Sequence, residues 1–306
     1  MRSDVIKPNW ALYNADCIEG MHAMPEGSID CAVFSPPFGD LFVYSDSERD
    51  LGNAGEGGNF MDQYRFFAEA LTRVMKPGRI VCVHCTDLPT RKGKHGFIGL
   101  QDFIGDLIKV HTDAGLIYHG RTTIWKDPVV EMQRTKALGL LYKQIRKDST
   151  MNRVGIPDYM LFFRAHGDNP ERIEHAAPGD GEAVRIASNW LDHMHKLGLS
   201  SSPPHPDSLD ELVKHAEFDV YEWQKLASPV WMNIKQGNVL NRMKGDGDER
   251  NQDPRPWPQA VVGELEEQGC LDSVLLVLAC GHALHDVTTA AGFVARVPGG
   301  PPLRQH

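Results

Sequence analysis

Short apolar runs alternate with amphipathic stretches over the first 165 residues of the chain. The segment Ile29 to Phe34 predicts a buried strand, and Phe60 to Met75 carries apolar residues at helical spacing. Lys76-Pro77-Gly78 is a helix stop, after which Arg79 to Cys85 predicts the next strand. Because strand, loop, helix and strand in this order suit a parallel crossover unit, the pattern predicts an α/β fold.

The same pattern predicts a helix over Phe103 to Ala114 and strands over Leu116 to Trp125 and Tyr159 to Arg164. After Arg164 the residues Gly, Asp, Pro and Glu become frequent, which indicates a boundary. We therefore expect three parts: an α/β core in residues 1–165, a helical region in residues 166–245, and a linker with a small C-terminal appendage in residues 246–306.

Composition excludes several classes of protein. The 306 residues include 32 Lys and Arg against 41 Asp and Glu, a formal net charge of −9, which is ordinary for a globular chain. The apolar run Val274 to Cys280 is far shorter than the ~20 residues of a membrane-spanning helix, and no secretory signal follows Met1. Six scattered cysteines do not make a disulfide framework, so we expect a reduced, cytoplasmic protein without membrane contact.

Positive charge is concentrated in two places on this acidic chain. Residues 121–164 hold nine Lys and Arg but four acidic residues, and a basic loop of Arg91, Lys92, Lys94 and His95 follows the strand that ends near Cys85. Such segments can neutralise the phosphates of nucleic acid, because binding depends on where the charges lie. A solvated surface is the alternative interpretation of both.

The turn Ser35-Pro36-Pro37-Phe38 directly follows the predicted strand that ends at Phe34. Ligands of open α/β sheets bind beyond the carboxyl ends of the strands. Two prolines remove two N–H donors, so the turn offers acceptors and one aromatic ring. Ser35 Oγ and the Pro36 carbonyl can accept the two protons of an exocyclic amine while Phe38 stacks on the base. The tetrapeptide alone also suits a plain strand-ending turn.

Several further segments, in family order, resemble the β-class DNA amino-methyltransferases. They are LYNADCIEGM at 12–21, PEGSID at 25–30, FSPPF at 34–38, YSDSERDLGN at 44–53, residues 71–78 and residues 228–232. The resemblance touches most of residues 10–240. It implies a Rossmann-like methyltransferase sheet and methyl transfer from S-adenosylmethionine to N4 of cytosine or N6 of adenine.

The resemblance also assigns roles to individual residues. Ser35, Pro36, Pro37 and Phe38 would form the catalytic turn, and Asp16 with Cys17 would lie near the adenosine end of S-adenosylmethionine. Serine at position 35, where adenine enzymes commonly have Asp or Asn, favours cytosine N4. The base would be flipped out of double-stranded DNA. Residues 1–165 would be the catalytic core. Target recognition would lie in the helical region 166–245, in particular residues 183–223, or in residues 125–151.

One family feature is not found in the sequence. The glycine-rich cofactor loop, an F-x-G-x-G segment after a strand, is missing beyond Met232, where Gly281 and Gly292 stand alone. Without tight glycines the backbone cannot closely approach the methionine part of the donor. Two hypotheses follow: an amino-methyltransferase whose sheet is incomplete or whose loop is replaced, and an inactive truncated remnant that still binds DNA.

Two groups of cysteine and histidine residues are candidate metal sites. Cys82 and Cys85 flank His84, but the alternation in V-C-V-H-C favours the interior of a strand. Irregular spacing at the second group favours a small buried appendage over zinc; its members are Cys270, Cys280, His282 and His285. The sequence therefore predicts no metal site.

Overall fold

The structure is a computed structural model that describes residues 5–6, 11–14, 16–38, 51, 59–90, 92–135, 138–147, 153–169, 178–198, 219–234, 275–279 and 292–295. The chain divides into two units, one of Met1–Glu171 with Met232–His306 and one of Arg172–Trp231. None of the helices within these described ranges is long and apolar enough to span a bilayer.

A mixed sheet forms the centre of the first unit. In chain order the strands among the described residues are β1 (Val5–Ile6), β2 (Ala11–Asn14), β3 (Ile29–Phe34), β4 (Met75–Cys85), β5 (Leu88–Pro89), β6 (Leu100–Gln101), β7 (Ile117–Ile124), β8 (Asp158–Arg164), β9 (Val230–Trp231, in the second unit), β10 (Leu275–Ala279) and β11 (Gly292–Ala295). Within the sheet of the first unit the strand order is β1-β2-β11-β10-β3-β4-β8-β7. Strands β5 and β6 form a separate antiparallel pair.

The strand directions place many carboxyl ends at one edge of the sheet. Strand β3 pairs in parallel with β4 on one side and with β10 on the other. Strand β8 is antiparallel to both β4 and β7, so β7 runs in the direction of β4. Strand β2 also runs this way, because β11 is antiparallel to both β2 and β10. The predicted α/β class and the parallel crossover from β3 to β4 are confirmed.

The helices are α1 (Cys17–Ala23), α2 (Asn59–Val74), α3 (Lys92–His95), α4 (Phe103–Asp113), α5 (Pro128–Thr135), α6 (Gln144–Lys147), α7 (Asp180–Lys196) and α8 (Val220–Leu226), with a 3-10 turn at Leu138–Leu140. Helix α2 buries one face, at Tyr64, Phe67, Leu71 and Val74, in the core that it shares with α4 and the sheet. Each such side chain contributes roughly 1.5–3 kcal/mol of burial free energy.

The amino ends of β3 and β4 are joined by charge. Asp30 of β3 is buried. Its Oδ2 accepts from Lys76 Nζ at 3.1 Å, and its Oδ1 forms an ion pair with Arg79 Nε of β4 at 3.1 Å. Helix α2 ends at Val74, just before the predicted stop, and Gly78 then takes a φ of +72° in the bulged start of β4. A side chain there would meet the backbone nitrogen of Asn169 at 2.7 Å, so glycine is required.

Residues expected to lie in a C-terminal appendage contribute strands to the sheet itself. Leu275–Ala279 pairs with β3, and Gly292–Ala295 pairs with β10 and β2. The expected three parts at 1–165, 166–245 and 246–306 differ from the two units, whose boundaries fall after Glu171 and Trp231. The described pieces of residues 246–306 therefore belong to the first unit.

The described residues of the second unit, 178–198 and 219–231, are largely helical. Asp219 caps α8 through the backbone nitrogen of Tyr221 at 2.9 Å and accepts from Arg185 at 2.7 Å and Asn189 at 2.6 Å on α7. Trp190 and Trp223 pack with ring centroids 5.8 Å apart. An ion-paired cap and an aromatic contact thus join the two helices.

Candidate functional site

The turn Ser35-Pro36-Pro37-Phe38 begins directly after β3, at the carboxyl edge of the sheet. Phe34 pairs with Val83 in parallel register, so the next residues, Ser35 and His84, lie side by side. The Ser35 hydroxyl donates to the backbone carbonyl oxygen of His84 at 3.1 Å. Both prolines are buried, whereas Ser35 and Phe38 are half-buried. The turn is therefore anchored by its prolines, while Ser35 and Phe38 keep part of their surface exposed.

A chain of polar side chains continues from Ser35 along this edge. His84 Nδ1 lies 3.4 Å from Ser35 Oγ, and His84 Nε2 lies 3.3 Å from Asp158 Oδ2. The other carboxylate oxygen of Asp158 pairs with Lys126 Nζ at 2.5 Å. With the Nε2 proton directed at Asp158, Nδ1 is left as an acceptor for the Ser35 hydroxyl. The hydroxyl can thus donate either to the His84 carbonyl or to the His84 ring.

Sheet topology brings these four residues together from distant parts of the sequence. His84 is on β4, Lys126 follows the carboxyl end of β7, and Asp158 begins the reversed strand β8. Register places Asp158 opposite Ile124, next to Lys126. Because β8 runs opposite to β4 and β7, its amino end lies at the edge where theirs finish. The antiparallel direction of β8 therefore places the Asp158 carboxylate at the same edge as His84.

Asp158 is held as an anion. Burial raises the pKa of its carboxyl group, but hydrogen bonds from His84 and Lys126 outweigh burial and hold the pKa below the ordinary value. The side chains of Asp158 and Lys126 are 17% and 14% exposed, so solvent screens their attraction less than at an open surface. A carboxylate therefore lies 3.3 Å from His84 Nε2, where it can accept the ring N–H.

Phe38 is supported by other aromatic rings. Its centroid lies 6.3 Å from the His84 ring and 6.5 Å from that of Phe103, both edge to face. Phe103 is buried at the start of α4 and packs at 5.6 Å against Phe60 of α2. These contacts fix the plane of the Phe38 ring, and its half-buried position leaves part of the ring accessible.

Asp16 and Cys17 follow β2, at the same edge as the turn. Asp16 caps α1, since its Oδ1 accepts from the backbone nitrogens of Ile18 at 2.9 Å and Glu19 at 3.3 Å. Cys17 begins the helix and packs partly buried against the core. Strands β11 and β10 stand between β2 and β3, so three strand spacings, roughly 14 Å, separate the two positions along the edge.

Sequence reasoning places Ser35 and Phe38 but misses three of the site residues. The sequence presents His84 only as the neighbour of two cysteines, and Lys126 and Asp158 only as members of a basic segment. A signal is present: His84 is a polar residue in an apolar strand, one position beyond the residue opposite Phe34. Parallel pairing of the two strands puts it beside Ser35. Nothing in the local sequence identifies Asp158 or Lys126.

The two cysteine positions of V-C-V-H-C lie inside β4, as predicted. Cys82 forms a side-chain hydrogen bond with Cys31 of β3, and burial raises the pKa of Cys85 to about 12. The part of the chain that the structure describes contains no group of three or more His, Cys, Asp or Glu side chains placed to hold a metal ion. The second group, Cys270, Cys280, His282 and His285, lies outside the described residues.

Comparisons with known proteins gave matches among solved structures only: no family model matches the chain, and no curated protein does. A candidate DNA modification methylase from Thermus thermophilus, complexed with S-adenosyl-L-methionine, is 14% identical with a TM-score of 0.42, over 74% of this chain and 68% of that one. The cytosine-N4-specific PvuII DNA methyltransferase is 15% identical with a TM-score of 0.35, over 63% and 64%. The M1.HpyAVI complex with the same cofactor is 10% identical with a TM-score of 0.27, over 53% and 59%.

The matched part of the chain thus spans about two thirds of the length of the Thermus and PvuII proteins. Likeness at these identities and TM-scores does not define an activity.

Proposed function

We propose that the protein is a DNA methyltransferase that uses S-adenosylmethionine and acts on an exocyclic amine of a flipped base, with cytosine N4 favoured over adenine N6. One observation carries the proposal: Ser35 of the Ser-Pro-Pro-Phe turn lies beside His84, which in turn contacts the Asp158 carboxylate. An acceptor, a relay group and a fixed anion in line are what deprotonation of an amine needs.

The turn would hold the amine. Ser35 Oγ and the Pro36 carbonyl oxygen accept its two protons, and the prolines around them donate no competing N–H. Phe38, fixed by His84 and Phe103, stacks on the face of the base. Since both amine protons are engaged, the nitrogen lone pair is drawn away from the ring and becomes a better nucleophile.

The relay would remove the proton. An amine that gains a methyl group carries a positive charge until it loses one proton. Ser35 Oγ accepts that proton while its own passes to His84 Nδ1, 3.4 Å away. Asp158, held by Lys126, then stabilises the charged imidazole. Serine suits this role because a hydroxyl can accept and donate at once.

The residues at the sheet edge fit one end of the methyl donor. S-adenosylmethionine, when bound, supplies an electrophilic methyl group on a sulfonium sulfur. Asp16 offers carboxylate acceptor chemistry to amino or hydroxyl donors of the adenosine part, and Cys17 begins the helix beside it. The roughly 14 Å between Asp16 and Ser35 leaves room for an elongated ligand along the edge.

The methionine end would meet a different part of the chain. Strand β10 lies parallel to β3 and ends at Ala279, at the same edge, and Gly281 follows two residues later. This strand takes the C-terminal place that the family resemblance reserves for the cofactor strand. Residues 280–291 lie outside the described residues.

The test is incubation of the full chain with duplex DNA and radiolabelled S-adenosylmethionine, followed by nucleoside analysis. We expect label in N4-methylcytosine. Label in N6-methyladenine would keep the enzyme class and overturn the preference for cytosine. If no label enters DNA and the donor does not raise the melting temperature while duplex binding persists, the protein is a DNA-binding remnant and the proposal is wrong.

A further inference from the structure

A basic arm extends from the sheet close to the catalytic turn. We define it as residues 88–101, which comprise β5, α3 and β6. It begins three residues after β4 ends at Cys85, so it leaves the sheet at the edge that carries Ser35 and His84. Its two strands are antiparallel, and the backbone nitrogen of Thr90 donates to Gly99 at 2.9 Å.

The base of the arm is fixed in the fold. Leu88 is buried in the core, and Thr86, just before it, donates to the Pro157 carbonyl oxygen at 2.8 Å. On the other side, Asp102 caps α4 through the backbone nitrogen of Gly105 at 2.8 Å, and Phe103 is buried. Both ends are thus held by elements that also position Phe38 and Asp158.

The tip of the arm has an unusual composition for a surface loop. Phe97 is 58% exposed and Ile98 is 42% exposed, side by side at the turn. Lys92 and Lys94 are exposed in α3, which precedes these two residues in the chain, and the sequence of the arm contains three Lys or Arg and no acidic residue. A cationic loop with an apolar tip therefore projects from a chain whose formal net charge is −9.

We propose that the basic arm enters duplex DNA next to the target base, with Lys92 and Lys94 at the phosphates and Phe97 with Ile98 wedged against the base stack. This inference rests on the proposed function. Flipping a base out of the duplex leaves a gap in the stack, and apolar side chains inserted between bases are a known way to support such a distortion. The positive charge complements the phosphate backbone.

The location of the arm argues for this partner. A wedge can support a flipped base only if it lies near the residues that receive the base. The arm shares its edge of the sheet with Ser35, and Phe103 at its base contacts Phe38. A protein partner with an acidic groove would suit the same charge, but it would not need the arm to be attached beside the base-binding turn.

The first experiment separates the contribution of the lysine charges to DNA binding from that of the apolar side chains at the tip. Binding of a short fluorescein-labelled duplex is measured by anisotropy over a range of salt for the full-length protein and for K92Q/K94Q and F97A/I98A. The lysine variant should lose about 1.8 from the slope of log K against log salt, since each phosphate contact contributes about 0.9. The wedge variant should bind about tenfold more weakly with an unchanged slope.

Matched controls are available elsewhere on the surface. F66A removes an aromatic residue that is 53% exposed on α2, and K109Q removes an exposed lysine paired with Asp113 on α4. Both controls should bind DNA like the unmodified protein. All variants change exposed residues, and thermal unfolding checks that they are folded. If the arm variants and the control variants bind DNA with equal affinity and equal salt dependence, the proposal for the arm is wrong.

Relaxation of a closed circular plasmid by topoisomerase I in the presence of the protein tests insertion directly. A wedge unwinds the duplex, so the protein should shift the topoisomer distribution and F97A/I98A should not.

The outcomes distinguish the arm proposal from the proposed function. If the wild-type chain methylates DNA but the arm variants bind, unwind and methylate equally well, the arm proposal fails and the proposed function stands. If DNA binding and unwinding depend on the arm but no methyl group is transferred, the arm proposal is supported and the proposed function fails.

Discussion

The Ser35 hydroxyl oxygen lies 3.4 Å from Nδ1 of His84, and the backbone carbonyl oxygen of His84 lies 3.1 Å from the same hydroxyl. One hydroxyl proton thus has two acceptors on a single residue. In the resting protein the Ser35 hydroxyl can donate its hydrogen bond to the His84 carbonyl oxygen, and during catalysis its proton can pass to the His84 ring. Ser35 and His84 should therefore act as one unit in methyl transfer.

Replacing Ser35 by alanine should lower the rate of methyl transfer by about a hundredfold or more, because the amine loses an acceptor and the relay loses its first member. Duplex binding should change little. Single-turnover transfer of labelled methyl groups, measured beside anisotropy, separates the two effects. S28A is the matched control, since the Ser28 hydroxyl donates to the Pro25 carbonyl oxygen at 2.8 Å, just before the amino end of β3. Turnover of S35A at the normal rate would remove the hydroxyl from the mechanism.

Asp158→Asn should reduce single-turnover transfer by roughly a hundredfold, because a neutral amide does not stabilise a protonated His84. The same change removes the carboxylate that pairs with Lys126, so a loss of stability is expected too. Rates are therefore compared at a temperature where thermal unfolding shows both proteins folded. D113N, which alters an exposed ion pair of α4, serves as the control. A normal rate for D158N would show that the carboxylate is structural only.

Phe38→Leu should raise KM for DNA more than it lowers kcat, because stacking on the flipped base contributes roughly 1–3 kcal/mol to its binding. Phe38→Tyr retains the ring and should restore most of the affinity. The two variants are compared in steady-state kinetics with duplex DNA. Equal kinetics for the leucine and tyrosine variants would mean that the ring does not contact the base.

His111 should make the fold sensitive to mild acid. Its ring is fully buried, stacks on Phe163 at 4.7 Å, donates from Nδ1 to the Leu107 carbonyl at 2.9 Å and faces the Tyr64 hydroxyl. Burial lowers the pKa of His111 to about 4, so the unfolded chain binds a proton below pH 6.5 that the folded chain does not. The free energy of unfolding should therefore fall between pH 6.5 and pH 4.

The size of this effect at pH 5 is about 2 kcal/mol relative to pH 7.5. Urea titrations at the two pH values measure it, and H111Q, which keeps a donor for Leu107, should lack this share of the pH dependence. H119Q removes an exposed histidine of β7 and provides the comparison. An identical pH dependence in H111Q and the unmodified protein would contradict the assignment.

Gly78→Ala should destabilise the fold by more than Gly27→Ala. Both glycines have positive φ, +72° and +59°, so each alanine adds backbone strain of about 1 kcal/mol. Only at Gly78 would the new Cβ also meet backbone, at 2.7 Å from Asn169, whereas Gly27 has open space around it. Chemical denaturation of the two variants checks the difference. Equal losses would show that the loop at Asn169 moves freely aside.

Much of the fold is readable from the sequence, because apolar periodicity reports local structure. The predicted strand at Ile29, helix at Phe60 and strand at Arg79 agree with β3, α2 and β4, apart from a residue or a few at the ends. The turn at Ser35 lies at the carboxyl end of β3, as predicted. These features depend on neighbours in the chain, which a pattern reveals.

Features that depend on distant pairing are not predicted by the sequence pattern. The apolar run that contains Leu275–Ala279 is evident, but nothing in it states that it pairs with β3. The reversed direction of β8 between β4 and β7 is likewise invisible locally, and it alone brings Asp158 to His84. The basic loop at Lys92 is a short helix within a two-stranded arm. Long-range register, and not residue type, decides each of these.

Pairing of β10 with β3 joins residue 31 to residue 275, which are far apart in the polypeptide. During synthesis, one edge of β3 stays unpaired until more than two hundred further residues have left the ribosome and β10 can pair with it. Contacts of such separation slow folding, and an open strand edge invites pairing with other nascent chains. Expression of this protein should therefore depend strongly on chaperones and on the speed of translation.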